Sequence, residues 1–361
     1  MVIFDDRHPE VVYEVLDFRP LSKSARNRVA YEIMMERKIA RVRQHYKSAF
    51  ASLLANPKKK SLNEYESKIK QALTVCDHKH PMAFHSGNLR IQRGQRDNII
   101  KGLLAAEAFF PKMETIFDDL GVPPEITRLA LVESSFNIHA VSYAGATGVW
   151  QFMLKSGLEY LKIDSGLKVD ERLSPLKSTV AAARLLKRNR KVLRNWPFAI
   201  TAYNHGLRTF VQSPRGRTGK ESLDPGNLFG PCPKNGGLKL GWASRNYYAE
   251  FLAVLHAEKY RNVFYGEPPV SLAQSIRFHR VPAGQSALEF AMKNGVALHA
   301  FKFLNPDIRD LNRRLPSGFL VAIPGDRDDF AHLTRYVAGR ESANMTFVKK
   351  KRRIRASTAV W

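Results

Sequence analysis

Glu133 closes the run Ile126-Thr-Arg-Leu-Ala-Leu-Val-Glu133. Read as a helix, Ile126, Leu129, Ala130 and Glu133 fall at i, i+3, i+4 and i+7, which is one face. The only carboxylate in the second half of that helix then points where the apolar side chains point. Burial beside apolar neighbours disfavours the charged form of a carboxyl and raises its pKa. A carboxyl kept neutral near pH 7 in a cleft can donate a proton as a general acid. The same position also suits a helix-end glutamate paired with an arginine or capped by a backbone amide. Elsewhere, Cys76-Asp-His-Lys-His80 with His85 nearby invites a metal, but the spacing fits no standard zinc pattern and a fourth ligand is missing. That segment reads as a polar loop, and no metal or other cofactor is expected. In Ser142-Tyr-Ala-Gly-Ala-Thr-Gly-Val-Trp150, two glycines and small residues allow a backbone to approach a neighbour or ligand closely.

The elements that must position these residues read as mostly helical. Ser22 to Ala51 has no Pro or Gly, with apolar Val29, Ile33, Met34 and Ile39, and a second helix follows Pro57-Lys-Lys-Lys60 to about Leu73. Arg96 to Leu120 is helical, and Pro111 should divide it. After the Gly121-Val-Pro-Pro124 turn, prolines and Glu125 suit the first turn of the Glu133 helix. Leu176–Leu193 reads as a basic helix whose Ala181-Ala-Ala183 permits close packing, and Phe198–His205 as a helix ending at Gly206. Residues 212–240 read as a long surface loop. A helix resumes from Ala243 to Tyr260. Gly266-Glu-Pro-Pro269 reads as a domain boundary, and residues 277–325 as a small β-α-α-β unit. The division expected is a helical basic region at 1–90, a catalytic domain at 91–265, the small unit at 270–326 and a basic tail at 327–361.

The chain has 361 residues with an ordinary 44% apolar and 25% charged composition, which excludes wholesale disorder and low-complexity architectures. Its formal net charge of +25 points to polyanionic surroundings: nucleic acid, anionic lipid or an acidic cell-wall polymer. The basic run Lys349–Arg355 is either a solvated tail or a further docking point for such a polymer. No stretch reaches the roughly 18 apolar residues of a membrane span. The N-terminus carries acids where a signal peptide would carry Lys or Arg. Cys76 and Cys232 are two thiols or one disulfide; sequence does not choose.

Glu133-Ser134, Gly148-Val-Trp-Gln151 and Ala202-Tyr-Asn-His-Gly206, in this order, resemble the SLT domain of the lytic murein transglycosylases, lysozyme-like enzymes that cleave bacterial peptidoglycan. The string Gly121–Asn137 and the upstream Gln92-Arg-Gly-Gln-Arg-Asp97 are similar to the membrane-bound D branch of that family. The resemblance covers roughly residues 90–265. Val281-Pro-Ala-Gly-Gln285, Leu304-Asn-Pro306 and Val321-Ala-Ile-Pro324 resemble a degenerate LysM module, a class that binds N-acetylglucosamine-containing glycans. The implied fold class is mainly α, a lysozyme-like catalytic domain with N-terminal helices and a small LysM-like module.

The resemblance implies that Glu133 is the single catalytic acid/base. It places Ser134 and Ser142 among the substrate-binding residues, Ser142 near the N-acetyl group of the reacting sugar, and Gln151 in the cleft wall. Tyr203 and Asn204 would position the glutamate and the sugar, and Tyr247 matches the tyrosine of a Glu-Thr-Arg-Asn-Tyr motif. His205 stands where relatives commonly have alanine, and Ala243 where they have glutamate. Trp150 and Phe152 read as core packing, and Tyr143 as a ring that could stack on a sugar. Without a second acid in the matching motifs, the implied reaction is non-hydrolytic and leaves 1,6-anhydromuramic ends. The implied partner is the peptidoglycan glycan strand, with a monomeric protein in the periplasm or cell envelope, associated with the outer membrane; no nucleic acid is expected. The chain shows no export signal, so its natural precursor is expected to carry one upstream. Two other readings stand beside this one: a non-catalytic peptidoglycan-binding protein, and a nucleic-acid-binding protein suggested by charge alone.

Overall fold

The computed structural model describes residues 1–6, 11–74, 88–212, 240–265 and 275–341. The chain forms two compact units, residues 1–95 with 226–242 and residues 96–225 with 243–361. Cys76, His78, His80, His85, Cys232, most of the 212–240 loop, the 266–269 boundary and the Lys349–Arg355 run lie outside the described residues.

The first unit holds β1 (Val2–Asp5), β2 (Val12–Val15), α1 (Arg19–Ser24), α2 (Arg28–Ala55), α3 (Glu64–Leu73) and β3 (Leu89–Gln92). The helical region expected at 1–90 is corrected here: the unit also contains a three-stranded sheet. The strands form an antiparallel sheet in the order β2-β1-β3, with Ile3 opposite Ile91. Extended backbone at Ala25 and an Asn27 cap, whose side chain accepts from the Ala30 amide, divide the expected Ser22–Ala51 helix. Along α2, Met35, Ile39, Val42, Tyr46 and Ala49 recur every three or four residues and are buried. Val29 and Ile33 are exposed instead, so the inward stripe begins a turn later than the sequence suggested.

The second unit begins with α4 (Arg96–Ala106) and α5 (Phe110–Asp119), divided as expected, with Pro111 in the first turn of α5. Pro124–Arg128 is a 3-10 helix, followed by α6 (Leu129–Ser134). The single α-helix expected here is thus two segments, yet Ile126, Leu129 and Ala130 are all buried. Then come α7 (Leu154–Gly157), the hairpin β4 (Ile163–Asp164) and β5 (Val169–Asp170), and α8 (Pro175–Leu193), with Ala181, Ala182 and Ala183 fully buried. They are followed by α9 (Trp196–His205), α10 (Leu207–Gln212), α11 (Trp242–Lys259) and α12 (Arg261–Tyr265). The last part is β6 (Ile276–Arg280), α13 (Ala287–Lys293), α14 (Leu298–Leu304) and β7 (Leu320–Pro324), with β6 and β7 antiparallel. This β-α-α-β order is the one expected. A helix follows at 331–341. It was read as basic tail, but Leu333, Tyr336 and Val337 are buried in the main core of this unit.

Residues 275–341 share that core and a buried charge cluster with the preceding helices. Lys177 of α8 donates to Asp307 at 2.6 Å and lies 3.2 Å from Glu171. The Tyr336 hydroxyl donates to Glu171 at 2.7 Å. Val169 bridges Ile308. Among the described residues, no helix is long and apolar enough to cross a membrane.

Candidate active site

Glu133 sits in the last turn of α6, and two features fix that turn from outside. Ser135 and Phe136 both take left-handed backbone, with φ of 49° and 56°, a conformation that is strained for non-glycine residues. Phe136 is held there by burial against the rings of Phe109 and Phe110. On the other side, α4 passes so close that a Cβ on Gly102 would lie 2.6 Å from the Ser135 carbonyl oxygen. Only glycine admits that approach.

Among the described residues, the Glu133 carboxyl receives one hydrogen bond, from the Tyr247 hydroxyl of α11 at 2.5 Å. Tyr247 is buried. Arg128, five positions before Glu133, also reaches α11: its guanidinium donates to both oxygens of Glu258 at 2.8 Å. A two-point arginine–carboxylate contact fixes orientation as well as distance. The same guanidinium also donates to Glu114.

Burial is the dominant effect on Glu133 and pushes its carboxyl up to about 7. The Tyr247 hydrogen bond favours the ionised form and works against this shift, while the like charge of Glu250 adds to it. Among the described residues no cation pairs with Glu133, so the arginine-paired reading of this glutamate does not hold. Tyr247 and Tyr203 are themselves pushed well above the ordinary tyrosine range, by burial first and then by the Glu133 charge. Both therefore remain protonated donors.

The glycine-rich loop is built to close backbone contact. Gly148 has φ of 80°, and a Cβ there would fall 2.0 Å from the Arg172 carbonyl oxygen. The Arg172 guanidinium in turn donates to the carbonyls of Gly145 and Phe152. Trp150 is wholly buried, stacked on Phe117 and donating to Thr179 at 2.9 Å; Phe152 is buried too. Both are core, as read from sequence, whereas Tyr143 is fully exposed on the same loop.

The other sequence-identified residues have more local roles than expected. The Ser134 hydroxyl donates to the carbonyls of Ala130 and Val149, tying α6 to the glycine-rich loop. Ser142 accepts from the Ala146 amide within its own turn. Gln151 takes left-handed backbone, and its amide donates to the Gly148 carbonyl at 2.9 Å. Tyr203 donates to the Trp150 carbonyl at 2.8 Å rather than to Glu133; Tyr247 is the tyrosine that holds the carboxyl. The exposed Asn204 accepts from the Ser244 hydroxyl at 2.9 Å, and His205 Nδ1 lies 2.9 Å from that same hydroxyl. His205 thus orients Asn204 through Ser244. Sequence reasoning missed Arg128, Ser244 and Glu250. Their partners lie 130, 40 and 117 positions away, and only the spacing of Glu250, three residues after Tyr247, offered a signal.

Residues 119–222 match the Transglycosylase SLT domain family. A stretch of 90 residues is 37% identical to the membrane-bound lytic murein transglycosylase D of Escherichia coli (strain K12), and equally to that of Escherichia coli O6:H1 (strain CFT073). The stretch is 24% of this chain and 19% of each relative, so the match spans about a fifth of the relatives' length. The SLT match contains Glu133, Ser134, Ser142, Gln151, Tyr203 and Asn204, whereas Tyr247 and Glu250 lie beyond it.

Proposed function

We propose that this chain, whose residues 119–222 carry an SLT transglycosylase domain, is a peptidoglycan lytic transglycosylase with Glu133 as its single acid/base. One observation carries this reading: a carboxyl raised to about 7 inside the SLT match, with the Tyr247 hydroxyl bound to it and no cation paired with it among the described residues. Similarity to enzymes named lytic murein transglycosylases supports the substrate class.

Conventional glycosidases use two carboxylates, about 5–5.5 Å apart for retention and about 6.5–9.5 Å for inversion, and the second attacks the sugar or activates water. A lone acid/base needs a nucleophile from the substrate. Neutral Glu133 gives its proton to the glycosidic oxygen between the N-acetylmuramic acid and N-acetylglucosamine residues as the bond to C1 breaks. The neighbouring N-acetyl carbonyl supports the positive charge developing at C1. Glu133, now a carboxylate, takes the proton of the C6 hydroxyl, whose oxygen bonds to C1 and closes the 1,6-anhydro ring. The carboxyl is thereby reset, and no water is consumed. A pKa near the working pH suits a group that must both give and take a proton.

Ser142, Gln151, Tyr203 and Asn204 would line the subsites around this centre. Residues 270–326 are proposed as a LysM-like glycan-binding module, and a monomer in the periplasm or cell envelope, associated with the outer membrane, as the working form. The positive charge suits a wall polymer bearing peptide carboxylates.

The test is digestion of purified peptidoglycan by the native protein and by Glu133→Gln, with soluble products analysed by mass spectrometry. Anhydro-ended muropeptides from the native protein alone are the expected result. Reducing-end products 18 Da heavier would mean hydrolysis and overturn the ring-closure step. No release from a wall that still binds the protein would favour a non-catalytic glycan binder.

A further inference from the structure

Glu250 lies three residues beyond Tyr247 on α11, so the two side chains share a face of that helix. That face is turned toward Glu133, because the Tyr247 hydroxyl sits 2.5 Å from the Glu133 carboxyl. Glu250 is half-buried and makes no hydrogen bond or ion pair with another described residue. In a chain with a formal net charge of +25, a half-buried acid without a cation is unusual. We propose that Glu250 is a positioning residue that acts on Glu133 by charge: its carboxylate keeps Glu133 protonated before bond cleavage and makes it a stronger base afterwards. This rests on the acid/base role proposed for Glu133.

The physics has one sign in both half-reactions. A negative neighbour disfavours a second negative charge, so it raises the proton affinity of Glu133. The described titratable groups acting on Glu133 are Tyr247 and Glu250, both from α11, and the Glu133 charge in turn acts on Tyr203 of α9. Tyr247 is a neutral donor, so among the described residues Glu250 supplies the full charge that acts on Glu133. Burial is the sole cause raising Glu250 itself, and no described cation offsets it. In this proposal Glu250 exerts its effect through Glu133 rather than on the substrate.

The experiment is the pH dependence of muropeptide release by the native protein, Glu250→Gln, Glu250→Lys and Glu250→Asp, with thermal unfolding measured alongside. The expected result is an alkaline limb moved to lower pH by about half a unit or more in Glu250→Gln, a shift worth about threefold in rate on that limb. Glu250→Lys should move it further in the same direction, and Glu250→Asp should restore the native profile. The ¹³C titration of the Glu133 carboxyl should move downward likewise, whatever the activity. An unmoved limb and an unmoved titration would overturn the proposal. So would an equal loss at every pH with a lowered melting temperature, which is a structural role. Reducing-end products that vanish in Glu250→Gln would also overturn it, because Glu250 would then be activating water. A native protein that releases nothing would break the transglycosylase reading, and the titration would still decide the claim about Glu250.

Discussion

Two groups of carboxylates in the same unit have opposite surroundings. Glu171 and Asp307 are fully buried and share Lys177, at 3.2 and 2.6 Å, with the Tyr336 hydroxyl and the Lys162 amide completing Glu171. Lys177 also lies 4.1 Å from the centre of the Phe319 ring. Burial pushes the Asp307 carboxyl up, and Lys177 opposes that push. Glu133 is only partly exposed, its carboxyl dominated by desolvation, with one described tyrosine hydroxyl and a like charge instead of a lysine. The difference is cationic: Lys177 serves both carboxylates and the Arg340 guanidinium lies 3.8 Å from Glu171, whereas no described cation pairs with Glu133. With those cations, the carboxylates join residues 275–341 to the helices before them. Without one, the carboxyl titrates near neutrality and can serve as an acid.

The largest effect expected at the unpaired site is on chemistry. Glu133→Gln should lower muropeptide release by about 10²–10⁴-fold, the usual range for losing a general acid–base group, while the fold is retained. Removing the Lys177 ammonium breaks the other half of the comparison. Lys177→Met leaves buried Asp307 without its cation, while Glu171 keeps Arg340 at 3.8 Å, and should cost about 3–5 kcal/mol in denaturant unfolding.

Stability against pH sharpens the contrast. A carboxyl whose folded pKa is raised favours the folded state at low pH and costs stability as pH rises from its unfolded value, about 4.3, through its folded one, about 7. Glu133→Gln should therefore stabilise the protein relative to native by about 2 kcal/mol at pH 8, after discounting for the open edge of this partly exposed site, and by little at pH 4. The increment should grow between those limits. Tyr247→Phe has a smaller effect than either of these. It removes the hydrogen bond that favours ionised Glu133, so the alkaline limb should move to higher pH, with about a tenfold loss of rate from a less well oriented carboxyl. This shift is opposite in direction to that expected for Glu250→Gln.

Much of the local structure was legible because it rests on neighbours in sequence. Pro111 divided α4 from α5, the apolar stripe placed Ile126, Leu129 and Ala130 inward with Glu133 on their face, and the bounds of α14 were those expected. What was not legible depends on distant partners. The β1–β3 pairing joins residues some 85 positions apart, and neither four-residue strand is long enough to declare itself. The left-handed turn at Ser135 and Phe136 has no glycine to announce it and exists because Phe136 finds a pocket formed by Phe109 and Phe110. The site divided in the same way. The SLT resemblance carried Glu133, but the assignment of Tyr203 as the tyrosine holding it gave way to Tyr247, 114 residues from its partner. Glu250 and Arg128 act only once α11 is in place.

The most direct test of this account is a ¹³C NMR titration of the Glu133 carboxyl in the native protein, assigned by the signal lost in Glu133→Gln. The account predicts a midpoint near pH 7. A midpoint near 4.5, the ordinary value for glutamate, would mean that Glu133 is ionised throughout the neutral range and is not the acid that cleaves the glycan.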